Sequence, residues 1–192
     1  MMRQTAGKGL AAMVLVALLG LAAPARGAVF DFSGVNQEVG LRFAYGQSTK
    51  GSVNFYSLLP RWGIFIVRPG RSLGPLGLSF VVEGIVSVAD ATDTGFELGV
   101  TPMLKLSCRL FPGFMAFLEG GAGLITESFN SPAIAHSFNF TPQVGAGVDI
   151  AITSKLAFTV AYRFRHSSNA GIYKENPAFN VNFGQVGLTY YY

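Results

Sequence analysis

The run Leu156-Ala157-Phe158-Thr159-Val160-Ala161-Tyr162-Arg163-Phe164-Arg165-His166-Ser167-Ser168 has two sides when it is taken by alternate residues. Leu156, Phe158, Val160, Tyr162 and Phe164 make an apolar stripe that continues into His166 and Ser168, while Ala157, Thr159, Ala161, Arg163 and Arg165 face the other way. The period of two predicts a β-strand. In a soluble protein the apolar stripe would be core, where an imidazole and a hydroxyl need partners or cost stability. On a strand that faces a membrane, the same two groups are presented to lipid.

The alternation recurs along the chain. Val39, Leu41, Phe43 and Tyr45 alternate with Glu38, Gly40, Arg42 and Ala44, and Leu78, Phe80 and Val82 oppose Ser79 and Glu83. Phe96, Leu98 and Val100 oppose Glu97, Phe114, Ala116 and Leu118 oppose Glu119, and Val144, Val148 and Ile150 oppose Gln143 and Asp149. Eight strands are predicted, at Val35–Gln47, Asn54–Val67, Leu76–Ala89, Thr94–Arg109, Phe114–Glu127, His136–Ile152, Lys155–Ser168 and Phe179–Tyr192. Pro60 and the adjacent Leu58 and Leu59 predict a bulge or bend in the second.

Glu38, Arg42, Glu83, Glu97, Lys105, Glu119, Asp149, Arg163 and Arg165 all fall opposite the apolar stripe, with acids and bases nearly balanced. Closing such strands into a small barrel puts those charges inside, where they neutralise one another, and turns the apolar face toward hydrocarbon. Glu97, Glu119 and Asp149 are read as interior partners of that kind and not as catalytic carboxylates or metal ligands. The fold class is therefore all-β, an eight-stranded antiparallel transmembrane barrel of the bacterial outer membrane. The ending Val186, Leu188, Tyr190, Tyr192 alternates up to a terminal aromatic, as the last strands of such barrels do.

The first 27 residues read as a secretory signal peptide: Arg3 and Lys8 stand beside a polar start, Leu10 to Leu21 is apolar, and Ala23-Pro24-Ala25-Arg26-Gly27 offers small residues for cleavage after Ala25 or Gly27. Residues 28–192 then form one barrel domain. The apolar stretch is shorter than the roughly 20 residues a membrane helix needs. Loss of Arg3, Lys8 and Arg26 from 14 basic residues leaves 11 against 10 acidic ones, so the formal +4 of the whole chain falls to +1. Nucleic-acid binding loses its compositional support. The single Cys108 excludes an internal disulfide and reads as a small buried or membrane-facing residue.

With both termini in the periplasm, odd strands run outward and even strands return through short turns such as Phe111-Pro112-Gly113 and Thr153-Ser154. Phe164, His166 and Ser168 then stand near the outer-leaflet interface. Counting back along the last strand from Tyr192 brings Asn180 to the same side and a similar height, unless a bulge between Phe183 and Val186 reverses the parity. Charged substitutions on a barrel's lipid face cost roughly 2–4 kcal/mol at the midplane but about 0–1 kcal/mol near the interface, so a polar site fits only near the rim. His136 is read as an outer-loop residue.

The segment His166-Ser167-Ser168-Asn169-Ala170-Gly171, followed by Asn176-Pro177-Ala178-Phe179-Asn180, resembles the C-terminal motif of the outer-membrane lipid A 3-O-deacylase (PagL-type) family. That resemblance implies a hydrolase that removes the ester-linked 3-hydroxyacyl chain at the 3-position of lipid A. It assigns Ser168 as nucleophile, His166 as general base, and Asn169 with the backbone N–H groups of Ala170 or Gly171 to the oxyanion hole. Members of the family can carry glutamate where this chain has Asn180. Asparagine accepts a hydrogen bond from the imidazole but brings no charge. Glu175, in the same outer loop, is the nearest acid in sequence, and its substitution for that charge is not favoured.

Lipid A or lipopolysaccharide is the implied substrate and outer-membrane lipid the surroundings. No metal or organic cofactor is implied, and a homodimer is left open. Two rivals stay open at this point: a non-enzymatic structural or adhesion barrel, which longer outer loops with apolar tips would favour, and a lipid A acyltransferase, which needs an acyl pocket inside the barrel.

Overall fold

The computed structural model describes residues 28–50, 52–129, 137–175 and 178–192. The expected leader, His136, Asn176 and Pro177 lie outside the described residues. Eight strands follow in order: β1 (Gln37–Ser48), β2 (Asn54–Val67), β3 (Leu76–Asp90), β4 (Thr94–Phe111), β5 (Phe114–Glu127), β6 (Phe138–Ala151), β7 (Leu156–Ser167) and β8 (Phe179–Tyr191). Each pairs antiparallel with its sequence neighbour, and β1 pairs with β8 from Glu38↔Tyr191 to Ser48↔Val181, so the sheet closes on itself. Closure leaves no strand edge unpaired, the condition for backbone to cross hydrocarbon.

The period of two is kept almost throughout. Leu41, Phe43, Val86, Leu104, Leu118, Val144 and Leu188 are exposed on the outer wall, while every charged residue expected inside is buried. β2 departs from expectation. Pro60 causes no bulge: the register with β1 runs unbroken through Leu41↔Pro60, because the ring lies on the outer wall with Leu58 while Leu59 and Arg61 point inward. The irregularity of this strand sits lower, between Phe65 and Val67 opposite β3.

The interior has three zones. At mid-height Glu119 receives Arg42 Nη1 at 2.7 Å and Arg61 Nη2 at 2.8 Å, and also pairs with Arg163. Glu83 joins the same group through Arg61 at 3.0 Å and through Arg163, and Arg165 binds Glu97 at 2.7 Å. Nearer the termini, Lys105 Nζ lies 3.1 Å from both Glu38 and Asp149. Charges this deep stabilise only when paired and hydrogen-bonded, and these are.

Apolar plugs close both ends. Phe55, Leu59, Ile85, Phe179, Val181 and Phe183 pack together above the charges, with the Arg165 guanidinium 5.0 Å from the Phe183 ring centroid. Below, the segment before β1 turns under the barrel: Phe30, Phe32 and Val35 pack on Met115, Ala151, Ala157 and Tyr191, and Asp31 N–H bonds Ser154 O at 3.0 Å. Gly113, with φ +74, closes the two-residue β4–β5 turn, where a Cβ would lie 2.5 Å from Ala28 O. The interior void among Ser57, Glu83, Gln143 and Gln185 measures about 10 Å³, enough for about one water.

Tyr191 joins plug and network, because its hydroxyl donates to Asp149 Oδ2 at 2.7 Å while its ring meets Phe30 and Phe32. Tyr191→Phe keeps the ring and leaves one carboxylate oxygen short of a donor. It is expected to lower unfolding stability by about 1–3 kcal/mol, measured as a shift in the urea midpoint of the detergent-folded barrel.

Candidate active site

β7 and β8 pair without interruption from Leu156↔Tyr190 to Ser167↔Phe179, so no bulge reverses the parity of β8. Asn180 therefore faces outward directly beside His166, its register partner. His166 Nδ1 lies 2.7 Å from Asn180 Oδ1. A carbonyl oxygen can only accept, so in the neutral imidazole Nδ1 carries the proton and Nε2 keeps its lone pair, the form a general base requires.

Ser168 stands two residues beyond His166 on the same outward face and is half-buried. Its backbone is pinned to β6 in both directions, Ser168 N donating to Phe140 O at 3.1 Å and accepting through its own O from Phe140 N at 2.8 Å. Neighbours at i and i+2 have Cα atoms about 7 Å apart, a gap that their side chains bridge by rotamer choice. Among the described residues no hydrogen bond joins Ser168 Oγ to the His166 ring. The two are adjacent on one wall, and the formed bond is the one between base and Asn180.

The chain after Ser168 is a tight turn organised by Asn169. This side chain is buried, its Oδ1 accepts from Gly171 N at 2.9 Å, and its Nδ2 donates to Glu175 O at 2.7 Å. Ala170 and Gly171 both take left-handed backbone, φ +54 and +79. For Ala170 that conformation costs about 1–2 kcal/mol, offset by the bonds around it. Of the three groups assigned to an oxyanion hole, Gly171 N–H is engaged by Asn169 and the Asn169 amide spans the loop. Ala170 N–H donates to no described residue. Glu175 enters this arrangement through its backbone oxygen, on an exposed stretch of the loop.

One polar pair on this wall was not singled out from sequence. Tyr162 OH donates to Asn182 Oδ1 at 2.6 Å, with Tyr162 two outward steps below His166 on β7 and Asn182 one outward step below Asn180 on β8. The period of two assigns each residue its face, but only the β7–β8 register brings them together. On the neighbouring strands Tyr45 OH bonds Asn54 Oδ1 at 2.9 Å, with the Tyr45 and Tyr56 rings 5.4 Å apart. These tyrosines form the aromatic belt that such barrels keep at a membrane interface. His166 lies four residues beyond Tyr162 along β7, outward of that belt. Arg163 and Arg165 point inward to Glu83, Glu119 and Glu97, as their parity predicted.

A closed eight-stranded barrel with an apolar outer wall, an aromatic belt and a salt-bridged interior is an outer-membrane β-barrel, here with a histidine, a serine and an asparagine together near its outer rim. A sequence profile of the lipid A 3-O-deacylase (PagL) family matches residues 73–189, and the chain belongs to that family. The solved structure of the outer-membrane enzyme PagL superposes with a TM-score of 0.60 at 17% identity, covering 77% of this chain and 97% of that one. Neisserial surface protein A gives 0.56 at 14% identity over 83% of this chain and 97% of its own. Ail, the attachment invasion locus protein of Yersinia pestis, gives 0.54 at 11% over 82% and 97%. At these identities the superpositions establish the fold. A search of curated protein sequences found no match.

Proposed function

We propose that this chain hydrolyses the ester that holds the 3-hydroxyacyl chain at the 3-position of lipid A, by a Ser-His mechanism on the outer wall of the barrel. The observation that carries the reading is the 2.7 Å bond from His166 Nδ1 to Asn180 Oδ1, which leaves Nε2 basic on the lipid-exposed wall two residues from Ser168. His166 Nε2 takes the Ser168 proton as Oγ attacks the ester carbonyl carbon. Charge develops on the carbonyl oxygen and is met by N–H donors of the Asn169-Ala170-Gly171 turn, Ala170 first. Collapse breaks the bond to the sugar oxygen, which leaves with the proton from His166. Water then attacks the acyl-serine, giving up its proton to His166; collapse breaks the bond from the acyl carbon to Oγ, Oγ takes the proton back from His166, and the free hydroxy acid departs.

Location supports the same reading. An ester of an outer-leaflet lipid reaches a rim site from the side without leaving the membrane. The interior void among Glu83, Gln143 and Gln185, of about 10 Å³, takes no acyl chain. That disfavours acyl transfer through a barrel pocket. Incubating the purified protein with lipopolysaccharide and weighing the lipid A tests the proposal. Loss of one hydroxyacyl mass is expected; a gained acyl mass or an unchanged spectrum would overturn it.

Asn180→Ala removes the acceptor that sets the tautomer but leaves both reacting groups. The expected cost is about 10- to 100-fold in deacylation rate, smaller than for either reacting residue, read from the same mass spectra over time. An undiminished rate would remove Asn180 from the site.

A further inference from the structure

The cations of this barrel are treated in two ways. Inside, Arg42, Arg61, Arg163, Arg165 and Lys105 each have a carboxylate within 3.1 Å. At the end that holds the termini, Arg71 and Arg109 have none among the described residues, and Arg68 reaches only the Val35 backbone oxygen, at 3.2 Å. The β2–β3 loop that carries two of them is held by its own bonds, Gly70 N to Gly74 O at 2.6 Å and Gly74 N to Arg71 O at 3.2 Å. Arg109 N, from the end of β4, adds a bond to Pro75 O at 2.9 Å.

Gly70 takes φ +87, and a Cβ there would lie 3.2 Å from Arg109 Nη2. The missing side chain lets the guanidinium lie across the loop. Arg71 and Arg109 thereby line a recess of about 250 Å³ whose floor is Phe30, Phe32 and Pro69 of the lower plug and loop. Asp31 also lines it, but its carboxylate accepts from Ser33 N at 2.8 Å. The hydrogen bonds from Ser33, with a smaller pull from Lys155, hold its carboxyl below the ordinary aspartate range. A second hollow of about 600 Å³ shares Gly70 and Arg109 and opens between Val29, Leu110 and Phe111. Leu110 and Phe111 in its lining are both more than half exposed.

Two guanidinium groups over a recess, bordered by exposed apolar side chains at a membrane face, match a ligand with an anionic oxygen cluster attached to hydrocarbon. We propose that this recess binds the phosphodiester headgroup of an anionic glycerophospholipid of the periplasmic leaflet, with the acyl chains lying over Leu110 and Phe111. The site is at the opposite end of the barrel from His166 and is independent of the hydrolytic reading.

The experiment is native mass spectrometry of the barrel in neutral detergent with dioleoylphosphatidylglycerol as probe and dioleoylglycerol, which lacks the phosphate, as control. The wild type is expected to retain one phosphatidylglycerol and little dioleoylglycerol. Arg71→Gln with Arg109→Gln is expected to reduce retention at least tenfold, Arg71→Gln alone by less, and Lys50→Gln at the far end not at all. Heat-modifiable migration confirms that each variant is folded, and Arg71, on an exposed loop, remains informative if the double variant fails. Equal retention in wild type and Arg71→Gln, or equal retention of both lipids, would overturn the proposal. Displacement by excess inorganic phosphate would mean a free-anion site and would equally overturn it.

Discussion

Ser168→Ala is expected to abolish release of the hydroxy acid from lipopolysaccharide while leaving the barrel folded. The two backbone bonds that hold this residue to Phe140 use N–H and C=O groups that alanine also has, and the lost Oγ is in no hydrogen bond among the described residues. Stability should stay within about 0.5 kcal/mol of the parent. The rate should fall about 10³-fold or more, because without Oγ the acyl group has no acceptor and only the oxyanion donors and binding remain.

His166→Ala should fall as far, and the Ser168→Ala, His166→Ala double variant no further, since the two act as one unit. Mass spectrometry of lipid A measures all three, with heat-modifiable migration as the folding control. A Ser168→Ala protein that deacylates at the parent rate would sink the mechanism and leave the fold untouched.

Glu119→Ala is the largest stability loss expected. The residue is 3% exposed, and its carboxylate meets Arg42, Arg61 and Arg163 together. Truncation leaves Arg42 with only Gln185 Oε1 at 3.1 Å, and leaves Arg61 and Arg163 to share Glu83. Three guanidinium groups then face one carboxylate in a buried space with room for about one water. Breaking a buried pair by removing one partner costs about 3–5 kcal/mol, and the loss here should reach the upper part of that span.

The denaturant midpoint of the folded barrel measures it. Glu119→Gln, which keeps the shape and one acceptor oxygen, should lose less than Glu119→Ala. An exposed charge such as Lys50, changed to Ala, should alter the midpoint by no more than about 0.5 kcal/mol. A Glu119→Ala barrel as stable as its parent would mean that the interior charges are solvated and not paired.

Strand positions were legible because hydrocarbon outside and packed charges inside impose opposite chemistry on alternate residues. β2 and β5 match the predicted bounds at both ends, and the remaining ends differ by two residues or fewer. Pro60 misled for a physical reason. Its missing N–H argues for a break, but here β1 still pairs across it and the outer wall accepts its ring. Arg61, which holds both Glu83 and Glu119, was hidden by the same uncertainty about β2. The lower plug was not visible either, since Phe30, Phe32 and Val35 follow no strand period and gain their meaning only from Tyr191 and Met115 above them.

At the rim, alternation in β7 was enough to put His166 and Ser168 on the lipid side. Asn180 was ambiguous, because Phe179, Val181 and Phe183 are apolar yet point inward. They do so because the outer end of the barrel interior is an apolar plug, a property of eight strands together that no single strand encodes.

The sequence by itself determined the architecture, the face of most strand residues and the family motif, because these follow from local periodicity and residue type. Tertiary structure alone decided which groups meet. The closure of β8 on β1 and its unbroken register with β7 set the His166–Asn180 bond, the sharing of Glu119 among three arginines and the placing of guanidinium groups that meet no carboxylate among the described residues around the lower recess. Contact between side chains from different strands depends on register, and register is a property of the closed sheet.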